Sequence, residues 1–179
     1  MSLALETFAQ AMKPADERGI RQWVEEEVVV PHSIKSPNVD YSLTPMLVDP
    51  LECLEDEDTR ELVLMAPTGS GKTTGIIEAA STWLIGERQA NAAIVFHTQA
   101  AINKWRQTRG EPTWKASKKT SNLLPPPMSP KNKKEYIRFP NMTLQTIFAS
   151  TSQLQGDTIK VMIGDELWEW KPDMLEELR

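Results

Sequence analysis

Apolar residues recur along this chain in two rhythms. Ile20, Trp23, Val24 and Val28 fall at near-helical spacing, predicting an amphipathic helix that Pro31 ends. The stretch from His32 to Pro50 is irregular, punctuated by Pro37, Pro45 and Pro50. Leu51–Asp58 reads as a short acidic helix. Leu62-Val63-Leu64-Met65 is then a short continuous apolar run before a glycine-rich turn, the pattern of a buried strand. Thr73 to Ile85 returns to helical spacing, with Ile76, Ile77, Ala80 and Leu84 on one face and Gly86 as the expected stop. Ala92–Phe96 predicts a second buried strand, and Gln99–Thr108 a second helix carrying Ile102 and Trp105. Ile159–Ile163 predicts a last buried strand ending at Gly164-Asp165-Glu166. Strands alternating with helices imply βαβ units and a parallel sheet.

Between these units the rhythm breaks. Gly110 to Lys134 holds Pro112, the run Pro125-Pro126-Pro127, Pro130 and the bases Lys115, Lys118, Lys119, Lys131, Lys133 and Lys134, and reads as a long mobile surface excursion. Tyr136–Phe139 and Thr143–Ala149 predict a hairpin around Pro140-Asn141. No internal repeat is present, and Trp168–Arg179 opens a further segment. The chain divides into a helical and irregular lead-in, residues 1–50, and a core, residues 51–179.

Chemistry concentrates at two places. Ala66-Pro67-Thr68-Gly69-Ser70-Gly71-Lys72-Thr73 fits the Walker A phosphate loop with alanine at the first glycine position. Gly69 and Gly71 let the backbone turn its N–H groups inward toward phosphate oxygens. The following helix, entered through Thr73 and Thr74, adds the positive end of its dipole. Lys72 is placed to reach the β- and γ-phosphates, and the Thr73 hydroxyl to ligate Mg²⁺. Downstream, the Ile159–Glu166 stretch fits a Walker B element, an apolar strand lifting an acidic pair to its carboxyl end. Asp165 is expected to hold the metal and Glu166 to act as general base on the attacking water. Gly164 departs from the commoner fourth apolar residue. The histidines His32 and His97 read as surface or packing residues. Trp105, Trp114, Trp168 and Trp170 suit a core or a partner interface better than base stacking.

Composition narrows the picture little. The 179 residues are 40% hydrophobic and 25% charged, ordinary for a globular domain. A net charge of −5 argues against a broadly basic nucleic-acid binder and leaves a local basic patch open. Cys53 is the single cysteine, so no internal disulfide forms. Nothing in the sequence reads as a membrane span or a signal peptide.

The order of motifs resembles a known family. Val30-Pro31 and a polar loop ending Leu43-Thr44-Pro45 precede the phosphate loop. Phe96-His97-Thr98-Gln99, Glu111-Pro112-Thr113, Thr143-Leu144, Ser150–Gln155 and Gly164-Asp165-Glu166-Leu167 follow it. From about Trp23 to Leu167 this is similar to the N-terminal ATPase of the bacteriophage terminase large subunit, especially the lambda-like GpA group. The resemblance implies an α/β P-loop NTPase of RecA/ASCE type, with a mainly parallel central sheet flanked by helices. It implies ATP and Mg²⁺ as cofactors, and an ATP-driven motor that packages double-stranded viral DNA into a procapsid through the portal, in the cytoplasm of the bacterial host. It also implies a small terminase subunit as partner, self-association into a ring, and a C-terminal nuclease domain that this sequence does not contain. The expectation is therefore an isolated domain or truncated product. In this family the irregular segment before the first strand contacts the base, which makes Tyr41, or its neighbours through Pro45, a candidate for stacking on adenine, with packing of the loop onto the core as the alternative. Family members often carry an arginine inside Walker A. No residue of Ala66–Thr73 is arginine, so a transition-state arginine has to come from Arg106, Arg109, Arg138 or a neighbouring subunit. The loop itself looks like that of a superfamily 2 helicase, whose first motor domain is the alternative reading. A degenerate nucleotide-binding module used for assembly is a third, against which intact Lys72, Thr73, Asp165 and Glu166 argue.

Overall fold

The computed structural model describes residues 18–33, 36–150 and 158–171. Helix α1 (Ile20–Glu27) turns Ile20, Trp23 and Val24 inward, as its spacing predicts. Helix α2 (Val48–Glu52) starts earlier than expected, taking Pro50 into its first turn, where a missing N–H is not required. Helix α3 winds through 73–88. Its regular middle, Ala79–Trp83, is flanked by wider π-type turns at Thr73–Glu78 and Leu84–Arg88. Gly86 does not stop it. Gln89 does, with φ 49° and ψ 43°, and its N–H closes on the Leu84 carbonyl at 2.7 Å. Gly86 is small for another reason: a Cβ there would stand 2.9 Å from the Trp23 ring.

Strand β1 (Ala92–Phe96) is buried along its whole length, as a parallel strand covered on both faces must be. Helix α4 runs through 99–116, capped by the Thr98 hydroxyl accepting from the Ala101 N–H. It continues past Gly110, so part of the expected mobile excursion is helical. Pro112 falls in the first turn of the regular stretch Glu111–Ala116, just past the wider π-type turn Arg106–Gly110. Helix α5 (Lys118–Ser121) follows.

Strands β2 (Tyr136–Arg138) and β3 (Thr143–Phe148) pair antiparallel as the predicted hairpin. Strand β4 (Val161–Gly164) completes a four-stranded sheet in the order β2-β3-β1-β4, with β1 parallel to both β3 and β4. Alternation along β1 serves two layers. Ala92, Ile94 and Phe96 join the main core with Trp23, Leu84, Trp105 and Trp114. Ala93 and Val95 face a smaller cluster with Ile147 and Trp170. Because α1 packs into the main core with α3, the lead-in and the core of the chain share one interior.

One expected strand is absent. Leu62–Met65 takes no part in the sheet, and Leu62, Val63 and Met65 are 48%, 60% and 94% exposed. The reason lies in the sheet order. β4 is its last strand, and among the described residues nothing pairs with its outer edge. Leu62–Met65 and the residues of β4 line opposite walls of one open cleft. An apolar run becomes a strand only where a ladder accepts its backbone, and across the cleft none does.

Candidate nucleotide-binding site

The phosphate loop lies between the cleft wall and α3. Gly69 and Gly71 take φ of 81° and 84°, a region that other residues occupy only at a cost. The Gly75 N–H then closes the first helical turn on the Gly71 carbonyl at 2.7 Å. Pro67, Thr68, Gly69 and Gly71 are exposed. Ala66, Ser70, Lys72, Thr73 and Thr74 are half-buried. The Ser70 hydroxyl is buried without a hydrogen-bond partner, an orphan donor in the middle of the loop.

The acidic pair sits where the sheet delivers it. The β1–β4 register runs from Ala92 opposite Val161 to Val95 opposite Gly164, and the Asp165 N–H continues the ladder to the Val95 carbonyl at 3.0 Å. The Asp165 carboxylate accepts the Glu166 N–H at 2.9 Å, which holds Glu166 in a left-handed turn at φ 54°. A non-glycine residue held there is a strain that clusters at functional sites. Lys72, Ala66, Gly164, Asp165 and Glu166 all line the same cleft. Among the described residues no three acidic, histidine or cysteine side chains gather as a ready metal cage. The Thr73 hydroxyl and the Asp165 carboxylate carry oxygens, hard ligands of the kind Mg²⁺ takes when phosphates and water complete its shell.

Several residues that the sequence offered only as core, surface or packing residues shape this site. Trp170 is buried, and its indole N–H donates to the Asp165 carbonyl at 3.0 Å. Its ring lies over Gly164, where a Cβ would meet Trp170 at 3.1 Å and Leu167 at 2.8 Å. The departure at Gly164 is thus the space Trp170 occupies. Trp105 and Trp114 are core residues as expected, whereas Trp168 is 70% exposed on the cleft. His97, at the end of β1, places Nδ1 at 2.9 Å from the Glu166 Oε2. Only the strand register could have pointed to it.

Other expectations fare differently. Tyr41 is fully buried, packs near Gly75 and donates its hydroxyl to the Gly75 carbonyl at 2.6 Å. Both faces of its ring are occupied, so packing, not adenine stacking, describes it. Arg106 is buried and already committed: to Glu111 at 3.0 Å, to the carbonyls of Lys133 and Lys134, to Asn132 and to Thr146. These contacts hold the guanidinium inside the fold. Arg109 pairs at 3.2 Å with Glu78, a carboxylate buried on α3, whose other oxygen lies 3.1 Å from the His32 Nε2. Arg138 lies over the Tyr136 ring at the far edge of the sheet. Residues 151–155 of the Ser150–Gln155 block, and the end of the Trp168–Arg179 segment, lie outside the described residues.

A comparison with curated proteins gave no match. Residues 33–177 match the family described as the phage terminase large subunit gpA, ATPase domain, a span covering most of the chain and both halves of the cleft. The chain belongs to that terminase ATPase family.

Proposed function

We propose that this chain binds ATP with Mg²⁺ in the cleft between 66–73 and 165–166 and hydrolyses it to drive viral double-stranded DNA into a procapsid. The observation that carries the reading is that Lys72 and the Asp165–Glu166 pair, separated widely in sequence, line one cleft at the carboxyl end of β4. Backbone N–H groups of Pro67–Lys72, proline excepted, and the orphan Ser70 hydroxyl offer donors to phosphate oxygens. Lys72 supplies the point charge for the β- and γ-phosphates. Thr73 and Asp165 would hold Mg²⁺, which would supply neutralisation of the phosphate charge. Glu166 takes a proton from the attacking water. The family match favours a packaging motor over a helicase, and with it the small terminase subunit, the portal, a ring of subunits and the host bacterial cytoplasm. A transition-state arginine comes from a neighbouring subunit, since Arg106 and Arg109 are engaged inside the fold and Arg138 stands at the sheet edge opposite the cleft.

Two substitutions test this. Lys72→Ala removes a charge-assisted contact and should weaken ATP binding by about 1.5–3 kcal/mol in calorimetry. Glu166→Gln keeps the shape and loses the base. It should bind ATP normally and slow single-turnover hydrolysis by roughly 10²–10⁴-fold. Unchanged affinity in the first, or unchanged turnover in the second, removes the corresponding role.

A further inference from the structure

The carboxylate assigned as base does not stand alone. The last paired residues of the parallel register are Val95 and Gly164, and His97 and Glu166 each lie two positions beyond them. That step sets His97 abreast of Glu166, side by side at the carboxyl ends of neighbouring strands. The side chains meet there: the imidazole Nδ1, a buried nitrogen that no hydrogen bond satisfies, lies at contact distance, 2.9 Å, from the Glu166 Oε2. The backbone is as constrained as the side chain. Glu166 is held left-handed by the Asp165 carboxylate and by the Glu169 N–H, which donates to its carbonyl at 2.9 Å. With its backbone fixed, the remaining freedom of Glu166 lies in its side-chain torsions, and its carboxylate lies against His97.

We propose that His97 is a positioning residue for Glu166: it fixes the carboxylate at the cleft so that one oxygen is engaged and the other faces the attacking water. The proposal rests on the reading of Glu166 as base. A pre-oriented base loses no rotamer freedom on reaching the transition state, and a displaced one loses much of its effect. The contact uses Nδ1, two bonds from Cβ. Asparagine carries an amide nitrogen at that same distance from Cβ, whereas glutamine carries it one methylene further.

The test is a substitution series in the full chain, with hydrolysis measured in single turnover at excess protein and affinity measured with a fluorescent ATP analogue. His97→Ala should slow hydrolysis roughly 10-fold or more while leaving nucleotide affinity within about twofold. His97→Asn should restore most of the rate and His97→Gln should not, which separates positioning from a general effect on folding. Combined with Glu166→Gln, His97→Ala should slow hydrolysis no further, and the unfolding midpoints of the four proteins in that cycle should be non-additive. If Glu166→Gln is slow while His97→Ala is as fast as wild type or faster, the positioning role is overturned and the base stands. The role is equally overturned if Gln rescues as well as Asn, or if His97→Ala slows the Glu166→Gln protein by the same factor. If Glu166→Gln itself turns over normally, the base assignment falls and takes the positioning role with it.

Discussion

At the scale of single residues, the same side-chain type takes opposite roles according to what surrounds it. Tyr41 was a reasonable partner for a base because it lies in the irregular segment before the phosphate loop. Its ring instead closes the core behind that loop, with its hydroxyl on Gly75 of α3. Tyr41→Phe should therefore leave ATP affinity unchanged and cost about 0.5–1.5 kcal/mol of stability at neutral pH, the net value of one hydrogen bond. The same residue gives a pH signature. Burial, reinforced by the charge of Glu25 and opposed by Arg21, pushes the phenol well above its ordinary value of 10.0. A folded pKa above the unfolded one leaves the contribution complete below about pH 10 and drains it away as pH climbs above that toward the folded value. Phenylalanine has no proton to lose. The stability gap between wild type and Tyr41→Phe, read from urea midpoints, should thus narrow above about pH 10. A gap that stays constant from about pH 8 to about pH 11 would show that this phenol does not titrate abnormally.

Elements explain which parts of this fold and site were legible in the sequence. Helical spacing found α1 and the inward face of α3, and the apolar run found β1, because each is fixed by local periodicity and confirmed by burial on the expected residues. The glycine-rich turn was legible because its glycines answer a local backbone demand, met at Gly69 and Gly71. What depends on a neighbour was not legible. Leu62–Met65 has the composition of a strand and no partner in the sheet. Gly110 and Pro112 read as breakers, yet the helix passes through them with its hydrogen bonds shifted. His97 and Trp170 reach the acidic turn from positions that only the β1–β4 register brings together. The turn itself yields a prediction. Gly164→Ala places a methyl carbon against Leu167 and Trp170 in a packed corner and should cost about 1–3 kcal/mol as overpacking. Because the displaced Trp170 also holds the Asp165 carbonyl, ATP hydrolysis should fall more than ATP affinity does. Pairing Gly164→Ala with Trp170→Phe, which removes the indole edge over Gly164, should recover part of the lost stability, measured by thermal unfolding. If the pair costs as much as the two single changes added together, Trp170 does not account for the glycine.

For the whole molecule the open question is where DNA lies, and charge alone does not answer it, since the net value is −5. Position says more. The sheet has two edges: β4 with the nucleotide cleft, and β2 at the opposite end. Beside β2 run Lys131, Lys133 and Lys134, all exposed. The sequence pictured these bases as part of a mobile loop. In the fold they form a fixed ridge: the Arg138 N–H donates to the Lys131 carbonyl, the Lys133 N–H to the Tyr136 carbonyl, and buried Arg106 anchors the backbone at Lys133 and Lys134. A rigid row of ammonium groups loses less entropy on meeting phosphates than a flexible run does, which raises its worth as a DNA contact. Arg106 belongs to the scaffold of this ridge and is left unchanged in the test. If the ridge touches DNA, each phosphate contact releases counterions, and the logarithm of affinity falls with the logarithm of salt by about 0.9 per contact. Replacing Lys131, Lys133 and Lys134 with alanine should flatten that slope by up to about three units, uniformly across DNA sequences because phosphate contacts carry no base information. The substitutions lie on exposed side chains and should leave the unfolding midpoint and the ATP affinity near wild type, so a change in slope reads contact and not damage. Equal slopes for a parent that binds measurably and for the triple variant would take this edge of the sheet out of the DNA path and turn attention to the cleft edge, where exposed Trp168 stands.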